Sequence, residues 1–460
     1  MTSRSSLFKP FCLLISVSLI SSCDTGSPTV AIKSETTNRP EAGIAAVTPF
    51  DMGSPDLVLL LTGGTDGLLE PCDCATAVSG GLARLSGLVR SYRAQYPNTL
   101  VVDIGDALKV EQPTSPRNDH VLRGYQQIGY DAMVMADHEW SVPLEKLAKL
   151  LTNSPACISS SIRPGRSKRL PYTDAFKYER GELKLAVLSD VTEESFSGMH
   201  NMYPDQISFL PPSNLAQRVG ELKRDGYVVL IASHADEAGN ARIARTCKPD
   251  MLLQGHTSLS ASVLKNVRGV PVAKVGGTVF VGVVAMKIDS GAISDLEYRL
   301  DYLDERWPQD PRLLETYRAY SRAAWQAYLK RPRRAGLRYV GASDCGSCHQ
   351  EQFEAWKGSL HAKAYTALVD AKRANDPDCL KCHTTGFGTD HGFYSFERTP
   401  NLVGVGCQIC HAIDPVAHQD QPTAPVPTNT QICTSCHTKV TDPQFSLETR
   451  LHTARCPLSE

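Results

Sequence analysis

The sequence predicts a two-part chain: an α/β domain with mixed sheets, followed by a smaller, mostly α module of different composition. Three observations carry this reading. Residues 56–305 alternate short apolar runs with stretches of helical periodicity. Cysteine and histidine crowd the other end: nine of 15 Cys and eight of 13 His lie beyond residue 340. Methionine does the opposite, with all eight at or before Met286. A chain of 460 residues has length for several domains, and 42% apolar with 21% charged residues fits a globular protein. With 48 basic against 49 acidic side chains there is no electrostatic case for nucleic-acid binding.

Taken in chain order, residues 1–23 read as an export signal. Arg4 and Lys9 precede an apolar run from Phe11 to Ile20, too short to span a bilayer. Ile20-Ser21-Ser22-Cys23 resembles the bacterial lipobox, which implies lipidation of Cys23; cleavage near Ser22 as an ordinary secretory peptide is the alternative. Asp24 after a lipidated cysteine favours the inner membrane. Residues 24–55, rich in Ser, Thr, Pro and Gly, read as a flexible tether.

Within 56–305 the runs Leu57 to Leu61, Leu100 to Ile104, Leu183 to Leu188, Tyr227 to Ala232 and Met251 to Leu253 predict strands. Leu82 to Ala94 and Leu144 to Leu151 predict helices, and Thr278 to Ile288 a longer strand with no helix behind it. Polar clusters follow the strands, where such sheets place their sites. The clusters Gly80-Gly-Leu-Ala-Arg84, Asp103-Ile-Gly-Asp106, Ala136-Asp-His-Glu139, Ser233-His234 and Gly255-His256-Thr-Ser258 resemble, in that order, the metallophosphoesterase domain of periplasmic 5′-nucleotidases. The resemblance implies a sandwich of mixed β-sheets flanked by helices, and two metal ions that clamp the attacking and leaving oxygens. Three of the four ligand positions of the first metal are lost to Gly64, Asp66 and Ser258. The second metal's positions hold Asp106, Asp137, His234 and His256, all able to bind one divalent ion, and His138 matches the transition-state histidine. An active hydrolase, an inactive or repurposed domain, an unrecognised activity, and strand-end histidines that are merely hydrogen-bonded all stay open here. Glu70-Pro71-Cys72-Asp73-Cys74 lies just past the lost motif. Cys72 and Cys74 are a redox pair or soft-metal ligands in one reading, and disulfide partners of Cys157 or Cys247, or free thiols, in the other.

From residue 339 on, C-x-x-C-H occurs four times: Cys345/Cys348/His349, Cys379/Cys382/His383, Cys407/Cys410/His411 and Cys433/Cys436/His437. Two thiols three residues apart reach the two vinyl groups of one haem, and the adjacent His becomes the proximal iron ligand. Zinc ribbons and thioredoxin-like pairs do not explain a His after every second Cys. With no Met in the module, the spare histidines His361, His391, His418 and His452 are the candidate distal ligands. About 30 residues per haem are too few for a side-chain core, so the porphyrins fill it. The run Glu351 to Lys372 has helical pattern, with Phe353, Trp356, Leu360, Ala364 and Leu368 on one stripe. The sequence around Ser343 to His361, Pro377 to Gly386 and Gly404 to His418 resembles the cytochrome c554 family of tetrahaem proteins. That resemblance implies bis-His haems in stacked pairs, electron transfer, and one haem that is five-coordinate in some members. Residues 306–338 join the modules through a helix, Pro311 to Lys330. The basic cluster Arg331-Pro-Arg-Arg334 and Arg338 after it lies beside haem propionates or is simply solvated.

Together these readings describe a membrane-tethered periplasmic tetrahaem c-type cytochrome that relays electrons, with an inactive or repurposed 5′-nucleotidase-like domain. Its expected cofactors are four covalent haem c and one divalent ion. Redox proteins or quinol-linked membrane complexes are the expected partners, with the membrane reached through the lipid. A metal-dependent phosphoesterase with an electron-transfer tail, and a multihaem reductase of small nitrogen or sulfur oxides, are the alternatives.

Overall fold

The computed structural model describes residues 44–71, 80–110, 115–152, 154–165, 169–197, 206–256, 264–420, 430–438, 442 and 445–454. The front domain is two six-stranded sheets packed face to face. The first runs Ala292–Tyr302, Phe280–Asp289, Leu57–Thr62, Thr99–Asp103, Ala132–Val134, Ala156–Ile158. Its last four strands are parallel, and the long hairpin pairs antiparallel onto Leu57–Thr62. The second sheet runs Lys265–Val267, Val270–Lys274, Met251–Gln254, Val228–Ser233, Leu183–Asp190, Phe176–Arg180, parallel in its four central strands and antiparallel at both edges. Leu57–Thr62 and Val228–Ser233 are buried at every residue, which is why they read as unbroken apolar runs rather than alternating ones.

The main core lies between the sheets, where Val58, Leu60, Val101 and Val283 meet Val187, Leu230 and Leu253. A second core, with Leu215, Val219, Ile243 and Leu252, lies under the helices Pro212–Arg224 and Glu237–Thr246. Within the stretch expected as tether, Val47 and Phe50 are buried, and the Phe50 ring sits 5.1 Å from that of Tyr96. Tyr96, the C-cap of the helix Leu82–Gln95, thus gives this segment an aromatic partner on the domain.

The helix Pro311–Leu329 starts on an Asp310 cap, whose carboxylate accepts from the Arg312 N–H at 2.9 Å, with Pro311 in the first turn. Leu313, Tyr317, Tyr320, Ala324 and Tyr328 form its buried stripe. It packs on Leu82–Gln95 and Arg117–Ile128 on one side and on the helix Pro377–His383 on the other. The C-terminal module is short helices and turns, in agreement with the expected α class.

The single helix expected over Glu351 to Lys372 is two, Gln350–Gly358 and Ala364–Asp370. At Ser359 the backbone turns extended, and the hydroxyl of Ser359 accepts from the Ala362 N–H at 3.2 Å. The His361 carbonyl accepts from Val405, so a partner outside the helix takes up a group that a continuous helix would keep. Leu360, expected on the buried stripe, is 86% exposed. Among the described residues, no helix is long and apolar enough to cross a membrane.

At the end of Thr99–Asp103, the fully buried Asp103 accepts from Thr62 at 2.7 Å, Tyr125 at 2.9 Å and the Gly105 N–H at 3.0 Å. Burial pushes its carboxyl up to about 7, against the pull of the Thr62 hydrogen bond. The folded state therefore holds this proton more tightly than the unfolded chain, and its contribution to stability falls as pH rises from about 4 to about 7. Asp103→Asn should remove that dependence. Urea unfolding of the two proteins at pH 5 and pH 8 should show the wild type losing stability relative to the variant, by at most about 3 kcal/mol. Parallel behaviour at both pH values would refute the assignment.

Candidate functional site

Four strand ends, two from each sheet, converge on one pocket. Asp106 follows Thr99–Asp103, Asp137 follows Ala132–Val134, His234 follows Val228–Ser233 and His256 follows Met251–Gln254. The ligand atoms of these four residues all lie within 4.8 Å of one another. His234 Nδ1 is 3.2 Å from Asp137 Oδ1, and His256 Nδ1 is 3.1 Å from Asp106 Oδ2. His234 Nε2 donates to the Ile104 carbonyl at 2.5 Å, which fixes the tautomer and turns Nδ1 toward the carboxylates. Asp106, His256 and the nearby Asp66 all have left-handed backbone, with φ of 60°, 51° and 46°, a conformation costly for residues with a Cβ and common at sites. Gly105, at φ 113°, lets the imidazole approach: a Cβ there would lie 2.6 Å from His234 Nε2.

The charges are those of a cation site. Burial opposes ionisation of Asp106, yet the hydrogen bond from His256 and the charges of the surrounding histidines hold it well below the usual carboxylate range. Burial alone would lower His234, but the hydrogen bond to Asp137 and the two carboxylates raise it to about 9. One oxygen each of Asp106 and Asp137, Oδ1 and Oδ2, is buried without a hydrogen-bond partner. Two imidazoles, two carboxylates and two orphaned oxygens suit a divalent ion.

The residue that shapes this pocket without touching an ion is Glu139. Its buried carboxylate accepts four backbone N–H groups, those of Asp106, Ala107, Leu108 and Ala136, at 2.9–3.2 Å. Sequence reasoning quoted Glu139 within its motif but gave it no role; the signal was a Glu three residues after a strand-end turn, as in a capping box.

The other half of the expected two-metal clamp is built differently. Asp66 Oδ2 pairs with Lys109 Nζ at 2.6 Å, and Asp66 Oδ1 lies 3.6 Å from His138 Nδ1, which also meets the Leu108 carbonyl at 2.9 Å. A lysine ammonium thus sits against the aspartate that replaces a metal-one ligand. Lys109 was not legible as a site residue, because only the fold brings it to Asp66. Gly64, Asp106, His256, Gly276 and Gly277 line a cavity of about 300 Å³ here. Ser258, Cys72 and Cys74 lie outside the described residues, as does Cys23. Cys157 and Cys247 are buried, and both are free thiols here.

In the C-terminal module the motifs share one local geometry. The helices Cys407–Cys410 and Cys433–Cys436, and the turn at Cys345, bring the His N–H onto the first Cys carbonyl at 2.8–2.9 Å for His349, His411 and His437. The second motif ends the helix Pro377–His383. The Cys345 and Cys407 thiols are hydrogen-bonded, as are those of Cys382 and Cys436, so the motifs associate one with three and two with four. Cys348, Cys379, Cys410 and Cys433 complete the motifs, all at least partly exposed. His383 Nδ1 donates to the Ala364 carbonyl at 2.6 Å and His437 Nδ1 to Asp442 at 2.9 Å, so Nε2 is the nitrogen that could meet an iron.

Two of the spare histidines come to motif histidines. His418 and His349 have ring centroids 6.0 Å apart, and His361 and His437 6.2 Å apart. His391 is exposed, 3.8 Å from Asp390, with no ring contact to a motif histidine among the described residues. The His452 side chain lies outside the described part of Leu447–Ala454. Among the described residues, the module's buried apolar cluster is Tyr365, Leu368, Leu380, Phe393 and Leu402, with Tyr339, Phe387 and Val403 partly buried against it, and the helix Gln350–Gly358 buries none of its residues.

Residues 344–412 match the family model "Cytochrome c554 and c-prime", which implies covalently bound haem c. The cytochrome c-554 of Nitrosomonas europaea is 36% identical over 88 residues, covering 16% of this chain and 37% of that protein. The 5′-nucleotidase of Vibrio cholerae is 30% identical over 155 residues, covering 31% of this chain and 27% of that protein. The chain therefore spans about a third of the length of the curated relatives it matches. A solved 5′-nucleotidase precursor from Thermus thermophilus superposes with a TM-score of 0.52 at 22% identity, over 62% of each chain, which shows the fold. The chain thus joins a segment that matches the cytochrome c554 and c-prime family, residues 344–412, to a front domain whose fold resembles that of the metallophosphoesterases.

Proposed function

We propose that this chain is a periplasmic tetrahaem electron-relay protein, lipid-anchored at Cys23, whose front domain keeps one metal site of an ancestral two. Redox proteins or quinol-linked membrane complexes are its partners. The observation that carries the relay is the pairing of histidine rings. The rings of His349 and His418 lie 6.0 Å apart and those of His361 and His437 6.2 Å apart, so each pair would hold one haem iron. His418 would accordingly serve the haem of the first motif, and His361 that of the fourth. Bound haem supplies one-electron storage. The chain supplies the imidazoles, the carbonyl and carboxylate that orient them, and motif pairs close enough for haem-to-haem transfer.

The front domain is proposed not to hydrolyse phosphoesters by a two-metal clamp, since Lys109 neutralises Asp66 where a first ion would need ligands. One divalent ion at Asp106, Asp137, His234 and His256 is supported by the buried orphaned oxygens. A single-metal phosphoesterase is the second reading, favoured by His138 at the pocket edge.

Two expected outcomes test these statements. A pyridine haemochrome assay should give four haems per chain, and His418→Ala should make about a quarter of the haem high-spin and CO-reactive. A count clearly below four, or an unchanged CO spectrum, would overturn the relay assignment. Calorimetric titration of chelator-treated protein with Mn²⁺ should give one site, weakened at least about tenfold by His234→Ala, with no phosphate release from a nucleotide monophosphate. Release abolished by His138→Ala would favour the second reading instead.

A further inference from the structure

The second haem motif is fastened to the front domain by a polar network that ends in the pocket. Asp376 and Asp378 flank the start of the helix Pro377–His383, one turn from Cys379 and Cys382. The Asp376 carboxylate accepts from Tyr317 at 2.5 Å, and Asp378 accepts from Tyr320 at 2.6 Å while forming an ion pair with Arg117. Arg117 also donates to Tyr320 at 2.6 Å and, through its other terminal nitrogen, to the Gly67 carbonyl at 2.9 Å. Arg373 donates to the Pro71 carbonyl. Both arginines therefore reach the loop running from Gly64 past Asp66 along the pocket. That loop is tied to the metal candidates through its backbone: the Asp66 N–H donates to the Asp106 carbonyl at 2.8 Å and the Gly67 N–H to that of Ala107 at 2.9 Å.

The path is short. Cys379 is peptide-bonded to Asp378, Asp378 pairs with Arg117, Arg117 binds Gly67, and Asp66, bonded to Gly67, binds Asp106. Three polar contacts separate a haem-bearing turn from a candidate metal ligand. The Arg117 side chain is 12% exposed, while the Asp378 side chain that it pairs with is 38% exposed.

We propose that the front pocket holds a single redox-active first-row ion, iron or manganese, and that it exchanges electrons with the haem on the second motif through Asp378, Arg117 and the 66–67 backbone. The inference rests on the one-metal and haem readings above and adds what the pocket does. The donor set points to the ion. Two carboxylates, each with a second buried oxygen available, and two imidazoles offer up to six oxygen and nitrogen donors, which suits iron or manganese better than tetrahedral zinc. Two ionised aspartates balance a divalent ion and leave only one net positive charge on a trivalent one, so both oxidation states fit the same ligands. In each transfer the pocket ion goes from M(II) to M(III) as the haem iron goes from Fe(III) to Fe(II), or the reverse. One electron moves, and no bond to the protein is made or broken.

The test uses the full holo protein with its four haems, stripped of divalent ions and kept anaerobic. In one arm Fe(II) is added to protein with oxidised haems. In the other, protein with Fe(III) in the pocket is given reduced haems. Haem absorbance and the EPR signal of the pocket iron are followed together. Exchange should occur in at least the downhill arm, saturate at one iron per chain, and be blocked by prior Zn²⁺. It should slow at least tenfold in Arg117→Met and in Asp378→Asn, with iron uptake and haem content retained. Bound iron that exchanges in neither arm, indifference to Zn²⁺, or wild-type rates in both variants would overturn this proposal while leaving the metal site standing. Failure of both Fe(II) and Zn²⁺ to bind would overturn the one-metal reading and this proposal with it.

Discussion

The ion pair between Arg117 and Asp378, with Tyr320 hydrogen-bonded to both, ties the helix of the second cysteine motif to the front domain. The front domain carries two extensive apolar cores, while the C-terminal module has a cluster of five buried apolar side chains. A module so poor in apolar packing gains orientation from directed polar contacts. Arginine provides them well, because its planar fork satisfies several acceptors at once and keeps its charge when buried. The carboxylate and carbonyl that it holds are therefore not left unsatisfied, the condition under which a partly buried ion pair is tolerable. The helix Pro311–Leu329 is thus more than a connector: Tyr317 and Tyr320 are buried in the front domain's core, and their hydroxyls cap the acidic start of a haem-bearing helix.

At the pocket, rigidity comes from one carboxylate that binds no ion. Glu139 gathers the N–H groups of residues 106–108 and 136, so Asp106 is held in a left-handed conformation that the isolated chain would avoid. The strain is offset by four charge-assisted hydrogen bonds. Lys109, on the same turn, carries a positive charge to Asp66. A fixed side-chain cation thus neutralises Asp66 beside the four-residue cluster of Asp106, Asp137, His234 and His256.

The sequence by itself determined whatever depends on local spacing. A thiol pair three residues apart followed by histidine forms the same one-turn geometry wherever it occurs, because the turn is closed within five residues. Strands buried on both faces announce themselves as apolar runs, and Leu57–Thr62 and Val228–Ser233 lie within one or two residues of where the runs place them. The order of strand-end motifs named Asp106, Asp137, His234 and His256, and the fold brings all four together. Tertiary structure decided what needs a partner distant in the chain. Lys109 meets Asp66, Arg117 meets Asp378, and His418 rather than His391 meets a motif histidine, across separations that no periodicity encodes. The break at Ser359 belongs here too: helical propensity favoured continuity, and the Val405 N–H, 44 residues away, took the His361 carbonyl instead. Local chemistry fixes what a residue can bind, and the packed chain fixes what comes within its reach.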